Sequence, residues 1–167
     1  YAGSWFSKHF AGEQIPTLNE ILEMANLFDG KLYIEFKSAS PLPVWQAVLA
    51  HGLEKKCFFW SFDDQKLQDL RAIAPEANIM MRRQDFPTLQ ETLNNLAPAL
   101  IEYTIYEDWS EFEQLQALNI PIMIAYNGDD PDVMERIIKA RPDMVNLNQP
   151  FLFTKMCSNT HRTEETG

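Results

Sequence analysis

The stretch "KLYIEFK", Lys31 to Lys37, decides how the chain folds, because it reads as a strand yet carries a carboxylate and an ammonium. Side chains alternate along a strand, so Leu32, Ile34 and Phe36 share one face while Tyr33, Glu35 and Lys37 share the other. A sheet with one solvated face would simply put Glu35 and Lys37 in water. A sheet covered on both sides would aim them inward instead. The residues after Lys37 decide between these readings.

Five further strand candidates come after it: Cys57 to Phe62, Asn78 to Arg83, Ala99 to Tyr106, Pro121 to Asn127 and Asp143 to Asn148. Each is short, rich in β-branched or aromatic residues, and bounded by turn residues. Amphipathic stretches with helix-start signals lie between them. Thr17/Glu20, Thr88/Glu91 and Ser110/Glu113 have capping-box spacing, and Pro131 follows Asp130 as a first-turn proline does. Strand and helix alternate through short loops, which predicts parallel strands in an α/β fold. The repeat of roughly 20 to 25 residues, with no GxGxxG or GxxxxGK[ST] element, predicts a (β/α)8 TIM barrel of which this chain supplies about six β/α units. In a barrel the Tyr33, Glu35 and Lys37 face looks toward the axis, near the carboxyl end of its strand, where barrel active sites are built. A structural Glu–Lys pair remains the alternative at this level.

The 167 residues are 46% hydrophobic, enough to bury one core. A net charge of −10 argues against a nucleic-acid partner and favours a neutral or cationic ligand, or an anion held through a metal. Cys57 and Cys157 have no metal-ligand spacing and predict no disulfide framework. No apolar run is long enough to cross a bilayer. The expected location is cytoplasmic, with a periplasmic or secreted one left open. Residues 1–153 form the expected barrel-type domain and 154–167 a mobile polar tail.

The opening "AGSWFSKHFAGEQIPTLNEIL", followed by "LYIEFK", resembles the glycerophosphodiester phosphodiesterases. The shared elements are Gly3, Ser4, Trp5 and Phe6; then Gly12, Glu13, Ile15, Pro16, Thr17 and Leu18; then Glu35 with Lys37. Ser61, Phe62 and Asp63 follow the family's Ser-Phe-Asp strand exit, and Arg71 and Pro75 its Arg-x-x-x-Pro helix ending. The resemblance implies hydrolysis of a glycerophosphodiester, a phospholipid breakdown product, to glycerol 3-phosphate and an alcohol. It implies a divalent cation, Mg²⁺ or Ca²⁺, with Glu35 as a metal ligand and Lys37 as a catalytic residue beside the phosphate. Ser61, Tyr103, Tyr126 and Asn127 become candidate pocket residues, and Tyr103, Tyr106 and Tyr126 candidate aromatic faces for a cationic headgroup.

The family's histidines and its other two carboxylates lie upstream of the Gly-Ser-Trp-Phe segment, so the first two barrel units are expected to be absent from this chain. His9 falls in a loop, His51 at a helix end before Gly52, and His161 in the tail, so none replaces them by position. The seventh strand reads Ile124, Ala125, Tyr126 and Asn127 where the family tends to Trp-Thr-Val-Asn, and Leu147 to Pro150 replace its Thr-Asp-x-Pro. The alternatives are a pseudoenzyme or non-catalytic fragment that binds a ligand or partner, and a barrel whose lysine forms a Schiff base. Open barrel edges would favour self-association.

Overall fold

The computed structural model of the protein describes residues 3–164, with side chains through Ser158. All six expected strands are present, trimmed by a residue or two at their ends: β1 (Leu32–Glu35), β2 (Cys57–Trp60), β3 (Asn78–Arg82), β4 (Leu100–Thr104), β5 (Ile122–Tyr126) and β6 (Met144–Leu147). Among the described residues seven α-helices accompany them: α1 (Leu18–Leu27), α2 (Pro41–Ala50), α3 (Asp64–Ile73), α4 (Leu89–Asn94), α5 (Phe112–Ala117), α6 (Pro131–Ala140) and α7 (Pro150–Glu164). The chain divides into two compact units, Tyr1–Asn78 and Ile79–Gly167.

In the first unit β1 and β2 pair in parallel, from Leu32 with Cys57 to Glu35 with Trp60. The bond from Phe36 N to Trp60 O, 2.8 Å, carries the ladder one residue further. Side chains alternate as the sequence predicts. Phe36 and Phe59 stack on the face that also meets Trp45 of α2, with ring centroids 5.7 and 5.8 Å apart respectively. Tyr33 stacks on Phe58 at 4.9 Å on the opposite face, the one that carries Glu35. Leu22, Val48, Leu67 and Leu70 from α1, α2 and α3 are fully buried. The Thr17/Glu20 capping box is complete, and α2 ends at His51, whose Nδ1 lies 2.9 Å from Ala47 O. Gly52 follows with φ +65°, the left-handed step that glycine takes without steric penalty.

The second unit holds β3 to β6, paired in parallel in sequence order. Ile101, Tyr103, Ile122 and Ile124 form one buried cluster with Leu115 of α5 and Ile137 of α6. The Thr88/Glu91 capping box is complete and Asp130 caps α6 ahead of Pro131. The Ser110/Glu113 expectation is corrected: α5 starts at Phe112 with Glu111 at its cap and no side-chain capping bond. Ser110 instead turns back to Asp108, through its hydroxyl at 2.6 Å and its amide at 3.0 Å. Glu111 is drawn to other partners. Arg83 grips it bidentately at 2.7 and 2.9 Å, and the Tyr103 hydroxyl donates to it at 2.8 Å.

The segment expected as a polar tail from Thr154 continues α7 as far as Glu164. The side chain of His161 and residues 165–167 lie outside the described residues. Cys57 and Cys157 are both free thiols. Among the described residues no helix is long and apolar enough to cross a membrane.

The Arg83–Glu111–Tyr103 cluster predicts how this unit responds to mutation and acid. Glu111→Ala leaves a guanidinium and a largely buried hydroxyl without their acceptor and should destabilise by about 2–3 kcal/mol; Tyr103→Phe should cost about 1 kcal/mol. The Arg83 guanidinium holds the Glu111 carboxyl below its ordinary value of 4.5. A depressed folded pKa gives stability that is complete above that ordinary value and is lost as pH falls through the folded one. Urea titrations from pH 7 to pH 3 should therefore show an acid loss in the wild type that Glu111→Gln reduces.

Candidate active site

The first unit carries an open pocket of about 340 Å³ lined by Glu35, Phe36, Lys37, Ser61, Phe62 and Asp63. It is built from the adjoining carboxyl ends of β1 and β2. The Ser61 hydroxyl ties those ends together, donating to Phe36 O at 2.7 Å and accepting from Asp63 N at 3.0 Å. Asp63 then starts α3, its carboxylate accepting from Gln65 N at 3.1 Å. Glu35 and Lys37, two residues apart at the end of β1, approach to 3.5 Å. Their side chains are 30% and 78% exposed, so the carboxylate is partly sheltered and the ammonium projects into solvent. An ion pair this exposed adds little stability. What it leaves is a directed cation at the rim of a pocket, with an anion beside it.

The structure brings Glu35, Lys37 and Ser61 together in the first unit, while Tyr103, Tyr106, Tyr126 and Asn127 belong to the second. Tyr103 is fully buried in the helix-facing cluster of the second unit, where burial and the neighbouring Glu111 carboxylate push its phenol well above the usual range. Tyr126 is half-buried; its hydroxyl accepts from Asp130 N at 3.0 Å, and its ring leaves no room for a Cβ at Gly128. Asn127 is exposed and its carbonyl accepts from Asn148 Nδ2 at 3.3 Å. Tyr106 is exposed in the turn after β4. His9 is exposed in a single 3-10 turn, Lys8–Phe10.

A second polar group escaped the sequence reading. Glu102 of β4 is only 7% exposed, pairs in register with Arg82 of β3, and accepts from Asn146 Nδ2 of β6 at 3.2 Å. Burial pushes its carboxyl above the ordinary value; the Asn146 amide and Arg82 oppose this, and the Glu107 and Asp85 carboxylates add to it. Arg82 is itself held by Asp85 through two bonds of 2.8 and 2.7 Å. The signal was present in the letters: "LIEYT" places a glutamate inside an apolar strand just as "LYIEFK" does.

No group of three or more His, Cys, Asp or Glu side chains is placed to hold a metal ion among the described residues. Glu35 shares its pocket with one other carboxylate, Asp63, which is engaged as a helix cap. The described residues alone therefore do not make a cation cage of the six or more oxygens that Mg²⁺ or Ca²⁺ takes.

Parallel β/α units with polar side chains at the carboxyl ends of their strands are the arrangement of barrel enzymes. A glycerophosphodiester phosphodiesterase from Agrobacterium tumefaciens is 30% identical in sequence and superposes with a TM-score of 0.87 over 94% of this chain and 67% of its own. The curated glycerophosphodiester phosphodiesterase of Caldanaerobacter subterraneus subsp. tengcongensis is 27% identical over 168 residues, which cover 89% of this chain. The chain spans 64% of the length of that relative. A phosphodiesterase from Oleispira antarctica, in complex with the product sn-glycerol-3-phosphate, shares the fold with a TM-score of 0.71 at 20% identity, over 94% of this chain and 67% of its own. No family model matches the chain. The six β/α units are of the (β/α)8 TIM-barrel type, and the chain belongs to the glycerophosphodiester phosphodiesterase family.

The buried carboxylate of Glu102 gives a prediction of opposite sign to that for Glu111. A folded pKa above the ordinary 4.5 means that ionisation is harder in the folded state, so the charge destabilises the fold above that pH. Glu102→Gln keeps an acceptor for Asn146 and removes the charge. Its melting temperature should exceed that of the wild type at pH 7 and match it near pH 3. A lower melting temperature at pH 7 would show that the Arg82 partnership outweighs burial.

Proposed function

We propose that the chain is the phosphate-handling part of a glycerophosphodiester phosphodiesterase, which hydrolyses glycerophosphodiesters to glycerol 3-phosphate and an alcohol with Mg²⁺ or Ca²⁺. The observation that carries this reading is the Glu35–Lys37 pair at the end of β1, opening into a pocket of ligand size, in a chain of that family. The product bound by the Oleispira neighbour supports the same substrate class.

Lys37 supplies the positive charge. A phosphodiester anion repels nucleophiles and a departing alkoxide needs neutralising, so an ammonium at the rim of the pocket attracts the phosphate and favours the charge that develops on its oxygens. Glu35 sits 3.5 Å from that ammonium and limits its directions. Glu35 would also give one oxygen ligand to a divalent cation, while the other donors such an ion needs are not among the described residues. Ser61 is excluded as a nucleophile by its own bonds: its proton goes to Phe36 O and its lone pair to Asp63 N. It serves as the brace of the pocket.

The test is hydrolysis of glycerophosphocholine followed by glycerol 3-phosphate release, with Mg²⁺ and with Ca²⁺, in the native polypeptide. Lys37→Met should lower kcat at least a hundredfold, about 2.7 kcal/mol of transition-state stabilisation, and leave the melting temperature unchanged. Glu35→Gln should lower activity by several orders of magnitude and weaken the apparent metal affinity. Full activity in either variant would leave the pair as a surface ion pair and remove the basis of this reading.

A further inference from the structure

The exit of β5 reads Tyr126, Asn127, Gly128, and Asn127 is the only asparagine in the sequence that a glycine follows. It is exposed. Two groups that can react with each other are neighbours there: the Asn127 carboxamide, whose Cγ is an electrophile, and the Gly128 amide nitrogen, which closes a five-membered ring on attacking it. Hydrogen bonds usually tie such groups down. Neither has one among the described residues, whereas the Asn127 main-chain carbonyl accepts from Asn148 Nδ2 at 3.3 Å. Other asparagines differ on this point. Asn26 donates to His51 O at 2.9 Å, Asn78 to Cys57 O at 3.0 Å and Asn146 to Glu102 at 3.2 Å. Asn119 is exposed like Asn127, but the residue after it is Ile120, whose branched side chain crowds the amide and whose N–H is already given to Leu115 O at 3.0 Å.

Glycine at position 128 is fixed by its neighbour. The Tyr126 hydroxyl and ring occupy the space where a Cβ would go, and the same hydroxyl accepts from Asp130 N at 3.0 Å. The turn that holds Tyr126 in place therefore excludes every side chain that would shield the Gly128 amide.

We propose that Asn127 is a modification site, converted without an enzyme to aspartate and isoaspartate through a cyclic imide formed with Gly128. Hydroxide takes the Gly128 amide proton, and the nitrogen lone pair forms a bond to Asn127 Cγ. The bond from Cγ to the side-chain nitrogen breaks, and ammonia leaves with a proton from water. Water then adds to one of the two imide carbonyls. Opening at Cγ leaves an aspartate in the ordinary main chain; opening at the main-chain carbonyl leaves an isoaspartate, with the chain running through Cγ. The balance is one water taken up and one ammonia released. Either product puts a new negative charge next to Asp129 and Asp130. The isoaspartate also turns the carbonyl that Asn148 holds into a free carboxylate, and it lengthens the main chain by a methylene inside the turn that Tyr126 closes onto Asp130. The carboxyl end of β5 thus changes its charge and its length as the protein ages.

The native polypeptide should be incubated in mildly alkaline buffer, with and without urea, and followed by peptide mass spectrometry, with isoaspartate scored by methyl transfer from S-adenosylmethionine. In the folded protein Asn127 should convert at least about tenfold faster than Asn119, and within about tenfold of its own rate in urea, because the fold ties down neither reacting group. A rate that misses either margin overturns the site, since the fold then protects Asn127 or exposes the other asparagine equally. Asn127→Gln must close a six-membered ring, which is slow, so the isoaspartate signal should vanish from this peptide while conversion of Asn119 is unchanged. A signal that persists in that variant comes from another residue and overturns the proposal as well.

Discussion

One hydroxyl group fixes the geometry on which the candidate site depends. Ser61 bonds to the carbonyl of Phe36 and the amide of Asp63, so the exits of β1 and β2 are locked at the point where both chains leave the ladder. Backbone groups at a strand end have no ladder partner, and burying them unpaired is costly. A serine at this position satisfies one acceptor and one donor at once and is itself buried. Lys37, Phe62 and the start of α3 at Asp64 all adjoin that tie. Serine here is structural: it ties the carbonyl of Phe36 to the turn that starts α3.

The second unit solves the same problem with charge. Arg83, in the turn after β3, reaches Glu111 ahead of α5, and Tyr103 of β4 joins the pair from the core. Arg83 also donates to Phe86 O at 2.7 Å. The guanidinium thereby links two strand exits, as Ser61 does in the first unit. This partnership explains why Glu111 rather than Ser110 stands at the start of α5. A bidentate charged contact outweighs a neutral capping bond worth about 1 kcal/mol.

The strand pattern and helix starts were legible because the local signals agreed with the fold. Thr17/Glu20 and Thr88/Glu91 are complete capping boxes, and the strand ends shifted by no more than fraying allows. Glu35 and Lys37 were legible because charge inside an apolar strand has few explanations. Glu102 carries the same signal, but no family motif stands beside it in the sequence. Tyr103 and Tyr126 show what sequence hides. In a sheet buried on both faces, polar and apolar residues need not alternate, so the letters do not say which face a tyrosine takes. Register does: Tyr103 pairs with Ile124 in the helix-facing layer, and Glu102 beside it faces the other way. The helical course of Thr154 to Glu164 was hidden for a different reason, since a polar helix lacks the apolar stripe that reveals most helices.

Phosphate binding at the end of β1, as proposed above, is decided by a crystal structure of the native polypeptide with glycerol 3-phosphate. A phosphate oxygen should lie within hydrogen-bonding distance of Lys37 Nζ, in the pocket bounded by Glu35 and Phe62, with the Ser61 bonds intact. A phosphate bound elsewhere, with Lys37 still turned to Glu35, would rule the proposal out.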